Sequence, residues 1–212
     1  SASATNVIVY IDSYSAAGTS SLPITIKSEN PSGAVIRLPS TTQSLNAGFY
    51  LTKPYYNIEG FDITGGTYSG TSVGYVGISI QPSATGSIVR SNAIHHIGRS
   101  VCSNSAYGFT GIHVAGTSGV LIAENRIYSI GRLRNGESGC STIRYQHDHG
   151  VYSAAGSNLT IRRNVFYDVN RGFALHFYNS SGGTHSNVAV HQNTIVGKSP
   201  TGLPASQVIL CN

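Results

Sequence analysis

Short runs of alternating apolar and polar residues recur along this chain, and they recur within a fixed phrase. The phrase opens Gly-apolar-x-apolar, passes a small polar turn and ends apolar-x-x-Asn-x-apolar. Gly77-Ile-Ser-Ile80 leads to Val89-Arg-Ser-Asn92-Ala-Ile94, and Gly111-Ile-His-Val114 to Ile122-Ala-Glu-Asn125-Arg-Ile127. Gly150-Val-Tyr-Ser153 leads to Ile161-Arg-Arg-Asn164-Val-Phe166, and Gly172-Phe-Ala-Leu175 to Val190-His-Gln-Asn193-Thr-Ile195. An earlier copy, from Gly48 to Ile63, carries Phe61 in the Asn position. Val7 to Ile36 is a looser copy, and Val208 to Asn212 reads as half of another.

Alternation with a period of two predicts β-strands, three short ones per copy. Three such strands cannot bury an apolar face by themselves, so each copy must stack on the next. Stacked turns lie about 4.8 Å apart. In-register stacking places Asn92, Asn125, Asn164 and Asn193 above one another, where each side-chain amide can bond the turns on either side.

Over nearly the whole chain the phrase resembles the repeat of right-handed parallel β-helices, the pectate-lyase-like fold. The resemblance implies an all-β solenoid of about six to seven turns, with three short strands per turn and an Asn ladder. On this reading residues 1–212 form one β-helix domain. Asn212 falls on the ladder position, so the domain is expected to be a segment of a longer solenoid with further turns outside it. The family includes polysaccharide lyases and epimerases. In it, the sheet of Gly-start strands and its adjoining corner line a polysaccharide groove.

Spacing between starting glycines locates the loops. It is 29 residues from Gly48 to Gly77, 34 to Gly111, 39 to Gly150 and 22 to Gly172. The excess over the shortest turn must leave the solenoid. From Gly77 to Gly150 it falls mostly after the third strand, as Gly98 to Thr110 and Gly131 to His149. Loops on one edge of a rigid scaffold commonly carry binding and catalysis. Cys102 lies in the first loop and Cys140 in the second, so a Cys102–Cys140 disulfide is expected to staple them, in a secreted or extracellular setting. Cys211 is left over.

The second residue after each starting Gly should point outward, since its neighbours are apolar. These residues are Tyr50, Ser79, His113 and Tyr152, and on the next turn His176 and Tyr178. Arg144-Tyr145-Gln-His147-Asp-His149 runs up beside them, with His147 and His149 on one face. Arg99, Arg132, Arg134, Arg144 and Arg171 fall in the loops of the same corner. His95 and His96 are adjacent in a strand and are expected on opposite faces, forming no site.

Composition limits the chemistry. Asp, Glu, Lys and Arg make up 10% of the chain, against roughly 25% in an ordinary globular protein. With 40% apolar residues this excludes a charged disordered chain or a long coiled coil. No run approaches the roughly 18 apolar residues of a membrane span. The net charge is +5, and ten of the thirteen cations are Arg, which suits an anionic partner. No Lys/Arg-rich run favours nucleic acid.

Only eight residues are acidic, which disfavours a paired-carboxylate glycosidase. The family resemblance implies calcium in some lyases, but no acidic cluster offers the several oxygen ligands that ion needs, so no cofactor is expected. His147-Asp148-His149 with His113 is an alternative transition-metal set.

β-Elimination or epimerisation at a uronic acid needs other groups. One cation must neutralise the sugar carboxylate, a task for Arg144 or Arg171. Proton-transfer groups must serve C5 and either the leaving oxygen or the opposite ring face. His113, His149 and Tyr152 are the candidates, with Arg144 completing the catalytic set. Tyr50, Tyr145, His147, Arg171, His176 and Tyr178 are the candidate substrate-binding residues. The expected partner is an anionic polysaccharide. The rival expectation is a non-catalytic glycan-binding or structural solenoid of a fibre, tailspike or cell-surface protein.

Overall fold

The computed structural model describes residues 7–38, 46–65, 75–104, 108–141, 147–169, 172–179, 183–196 and 208–211. Among them the chain forms β1 (Val7–Ile11), β2 (Ile24–Lys27), β3 (Val35–Arg37), β4 (Asn46–Leu51), β5 (Tyr56–Glu59), β6 (Asp62–Thr64), β7 (Tyr75–Ile80), β8 (Ile88–Arg90) and β9 (Ala93–His95). It continues with β10 (Thr110–Ser118), β11 (Leu121–Ala123), β12 (Arg126–Ile130), β13 (His149–Arg162), β14 (Val165–Val169), β15 (Leu175–Tyr178), β16 (His185–His191), β17 (Thr194–Val196) and β18 (Val208–Cys211). No helix among the described residues is long and apolar enough to cross a membrane.

Each strand pairs in parallel with its counterpart one turn away, giving three faces of a right-handed parallel β-helix. The first face runs β1-β4-β7-β10-β13-β15-β18. The second runs β2-β5-β8-β11-β13-β16, and the third β3-β6-β9-β12-β14-β17. The long β13 bends from the first face into the second, with register shifts opposite Val114 and Ala115 of β10.

Registration stacks like on like. Phe49, Ile78, Ile112, Val151 and Leu175 form one inward column, and Ile63, Ile94, Ile127 and Phe166 another. All are buried, each contributing about 2 kcal/mol of apolar transfer. The column Leu51, Ile80, Val114, Phe177 is interrupted by Ser153, whose buried hydroxyl donates to the Ala155 carbonyl and bonds His185 Nε2 at 2.9 Å.

The expected Asn ladder is present. Asn125 Oδ1 accepts from Asn92 N and Nδ2 at 3.0 and 3.1 Å, while Asn125 N and Nδ2 donate to Asn164 Oδ1, each at 2.9 Å. Asn164 repeats the pattern toward Asn193, and Phe61 N donates to Asn92 Oδ1. Each ladder Asn follows a residue in the left-handed conformation: Ser91, Glu124, Arg163 and Gln192, with Gly60 before Phe61. Non-glycine residues there cost about 1–2 kcal/mol, offset by amide bonds made where water cannot reach.

The starting glycines are needed for close approach. A Cβ on Gly48, Gly77, Gly111 or Gly150 would lie 2.6–2.7 Å from the carbonyl oxygen one turn above. Above Gly150 that carbonyl belongs to Ala174, and Val151 pairs with Leu175. The turn after Gly150 therefore begins two residues later than Gly172 suggests. Gly172 serves another purpose, because a Cβ there would meet the Asp148 carbonyl oxygen at 1.8 Å.

Candidate functional site

Strand registration assembles the outward row on the first face. Tyr10, Tyr50, Ser79, His113, Tyr152 and His176 are successive partners. The rings of His113 and Tyr152 lie 5.5 Å apart, those of Tyr152 and His176 5.1 Å, and Tyr178 sits 5.8 Å from His176. Tyr50 stands two turns away against Tyr10 at 5.4 Å, and burial raises its pKa. It belongs to the row but not to the cluster.

His149 enters from the corner at the start of β13. Its main-chain N–H donates to the Phe109 carbonyl, and Gly150 N donates to that of Phe173. Its ring stacks on Tyr152 (5.3 Å) and on Phe173 (5.9 Å). His149 Nε2 meets His176 Nδ1 at 3.1 Å. It is only 4% exposed, so it lies beneath the row and not on it. His147 stands near enough that its charge counts against both His149 and His176.

Burial keeps these imidazoles neutral. It pushes the His113 pKa down to about 4. It holds His149 well below the ordinary imidazole value, with His176 and His147 adding to the effect. His176 is lowered in the same way, by burial first and then by His147. Neutral imidazoles beside a phenol can accept or pass protons near neutral pH.

Asp148, between His147 and His149, faces the other way. Its Oδ1 accepts from Phe109 N and Arg132 Nη2, and its Oδ2 from Arg132 N and Nε, all at 2.9–3.0 Å. Arg132 Nη1 donates to the Ser103 carbonyl, and its guanidinium lies over the Phe109 ring. Asp148 therefore ties two loops to the scaffold and takes no part in the outward row. It cannot join His147, His149 and His113 around a metal, and no group of three or more metal-binding side chains is found among the described residues. The Cys102–Cys140 disulfide links the same two loops, as expected.

The three loop arginines among the described residues are each paired with a carboxylate. Arg99 pairs with Glu137, Arg132 with Asp148 and Arg134 with Asp168. Arg144, Tyr145 and Arg171 lie outside the described residues. Of the eight acidic residues, five are ion-paired with arginines, the other two pairs being Arg90–Glu59 and Arg163–Glu124.

A second His/Tyr array on the third face was not anticipated. His95, Tyr128 and Tyr167 stack at 4.7 and 4.6 Å. The expectation that His95 and His96 face apart is wrong. His96 takes a left-handed φ of 55°, which swings its ring back until the two Nδ1 atoms lie 2.6 Å apart. His95 Nε2 bonds Asp62 at 2.7 Å. The sequence signal was the third residue after Asn92, Asn125 and Asn164: His95, Tyr128 and Tyr167.

The family model described as "Right handed beta helix region" matches residues 44–207. Among solved structures, the chain is similar to an alginate lyase from Paenibacillus sp. str. FPU-7, at 13% identity and a TM-score of 0.38. That similarity covers 95% of this chain and 85% of the other, and a likeness of that size bears on neither substrate nor chemistry. No curated protein matches the chain.

Proposed function

The chain belongs to the right-handed β-helix family, and we propose that on this scaffold the His/Tyr cluster is the proton-transfer centre of a secreted enzyme, a lyase or C5-epimerase acting on an anionic, uronate-containing polysaccharide. The observation that carries this reading is Tyr152 packed among His113, His149 and His176, with imidazoles neutralised by burial and no carboxylate in the cluster. Two positioned carboxylates would support glycoside hydrolysis; here the nearest, Asp148, is sealed against Arg132.

In this reading His113 takes the proton from C5 of the uronate. In a lyase the released electron pair forms the C4–C5 double bond, the C4–O4 bond breaks, and Tyr152 supplies a proton to the departing oxygen. In an epimerase Tyr152 returns a proton to C5 from the other side of the ring. Arg144 and Arg171 are the proposed partners of the sugar carboxylate, and Tyr50, Tyr145, His147 and Tyr178 the proposed contacts along the chain. The disulfide supports the secreted assignment, because such bonds persist in oxidising compartments.

The test is incubation with alginate, pectate and glycosaminoglycans, following ultraviolet absorbance of unsaturated uronates and, by NMR, solvent deuterium entering C5. Activity lost in His113→Ala and Tyr152→Phe supports the reading. Silence in both measurements across the panel removes it in favour of a non-catalytic glycan-binding solenoid.

A further inference from the structure

Pairing of the loop arginines leaves the uncompensated positive charge elsewhere on the scaffold. Among the described residues three arginines have no carboxylate partner: Arg37, Arg126 and Arg162. Two of them meet at the Asn-ladder corner, where the second face turns into the third. Arg126 follows Asn125 on one turn, and Arg162 precedes Asn164 on the next. Arg163, the left-handed residue before Asn164, stands between them. Arg126 and Arg163 are exposed and Arg162 is half-buried. The carboxylate of these turns is Glu124, which holds Arg163 only loosely, at 3.8 Å. On the turn below, Glu59 is matched by Arg90 at 2.9 Å, and Asp62 by His95 at 2.7 Å. Three guanidiniums on two adjacent turns therefore share one loosely held carboxylate.

We propose that this corner is a second, non-catalytic contact for a polyuronate chain, held by Arg126, Arg162 and Arg163 away from the His/Tyr cluster of the first face. The class of polymer rests on the uronate reading above; the surface rests on its own charge. The planar fork of a guanidinium matches a carboxylate in two hydrogen bonds. Ion pairs to an extended polymer need charge and access, not enclosure, so an exposed sheet corner suffices. A nucleic acid is the poorer fit. Tyr128, on the same strand as Arg126, has one ring face against His95 and the other against Tyr167, at 4.7 and 4.6 Å, which leaves no open face for a base to stack on. A polymer that engages both the corner and the first face is retained longer than either contact alone would allow.

The experiment is affinity electrophoresis of the full chain through gels containing polygalacturonate, heparin, RNA or dextran. Polygalacturonate is expected to retard the protein most and dextran not at all. Arg126→Ser combined with Arg162→Ser should weaken polygalacturonate binding about 4- to 25-fold, exposed ion pairs being worth about 2- to 5-fold each. Neither change breaks an ion pair of the fold, so the melting temperature should stay where it is. Arg37→Ser combined with Lys53→Ser removes the same net charge from elsewhere and should weaken binding less than about 2-fold, because distant exposed charges are screened.

A corner variant that binds polygalacturonate as well as the Arg37/Lys53 control does overturns the proposal. Stronger retardation by heparin or RNA than by polygalacturonate overturns the polyuronate assignment. His113→Ala keeps the two levels apart, since it should abolish turnover of a polyuronate yet leave the retardation in place. Turnover with no loss of binding in the corner variant sinks the corner alone, whereas neither turnover nor retardation with any polyuronate sinks the uronate reading with it.

Discussion

Asp148 and Arg132 form a bidentate ion pair from which water is excluded, their side chains being 0% and 1% exposed. All four bonds to the carboxylate come from Arg132 or from the main chain of Phe109. One pair thus holds the loop before β10, the loop before β13 and the residue preceding His149. Removing one partner of such a pair leaves an uncompensated buried charge. Asp148→Asn is expected to cost about 3–5 kcal/mol in urea unfolding, and Asp148→Leu combined with Arg132→Met less than the sum of the single changes.

The disulfide acts on the same loops by a different route. Its half-cystines are 38 residues apart, and chain-entropy arguments give about 4 kcal/mol for a loop of that size. Reduction should lower the melting temperature while leaving the far-ultraviolet β signature at low temperature, because neither half-cystine lies in a strand. Thiol titration of the denatured protein should find one thiol per chain before reduction and three after it.

The Asn ladder should be most sensitive in its middle. Asn125→Ala strips acceptors from Asn92 N and Nδ2 and the donor from the buried Val89 carbonyl. A loss of about 2–4 kcal/mol is expected from those orphaned groups. Asn193 is only partly buried, so Asn193→Ala should cost clearly less in the same unfolding experiment.

Buried neutral histidines impose an acid limit on stability. His113 binds its proton only near pH 4 when folded, but near 6.5 when unfolded. The unfolded chain therefore takes up more protons between those values, so stability is fully present above about pH 6.5 and falls as pH drops toward 4. His149 and His176 add in the same sense. Urea midpoints measured from pH 4 to 8 should show this slope, reduced in His113→Asn.

Close packing of the starting glycines sets a further test. Gly111→Ala would place a Cβ 2.6 Å from the Gly150 oxygen and 2.9 Å from Ile127 Cγ2, both held by stacked turns. A loss of at least about 2 kcal/mol is expected, in the range of core overpacking. Gly139→Ala meets nothing within 4 Å and bears only its left-handed backbone conformation, about 1 kcal/mol. Thermal unfolding of the two variants should separate them.

Much of this molecule was legible because a solenoid converts sequence period into space. The spacing of Asn92, Asn125, Asn164 and Asn193 determined the turns, and alternation determined that His113, Tyr152 and His176 share an outward row. Loop lengths placed Cys102 opposite Cys140. What failed depended on single backbone torsions or on partners distant in sequence. Gly172 looked like a starting glycine because it precedes an apolar triplet, yet the carbonyl of Asp148 is what requires it. The adjacent His95 and His96 obeyed strand alternation only until His96 turned left-handed.

The sequence alone therefore determined the stacking and the side on which histidines and tyrosines gather, since these follow from periodicity repeated over many residues. Only the tertiary structure decided which polar groups are sealed away. It turned Asp148 inward to Arg132, sank His149 beneath Tyr152 and His176, and matched Arg99 and Arg134 to carboxylates from other parts of the chain. Those outcomes depend on which desolvated charges find partners across turns, and no local pattern encodes that pairing.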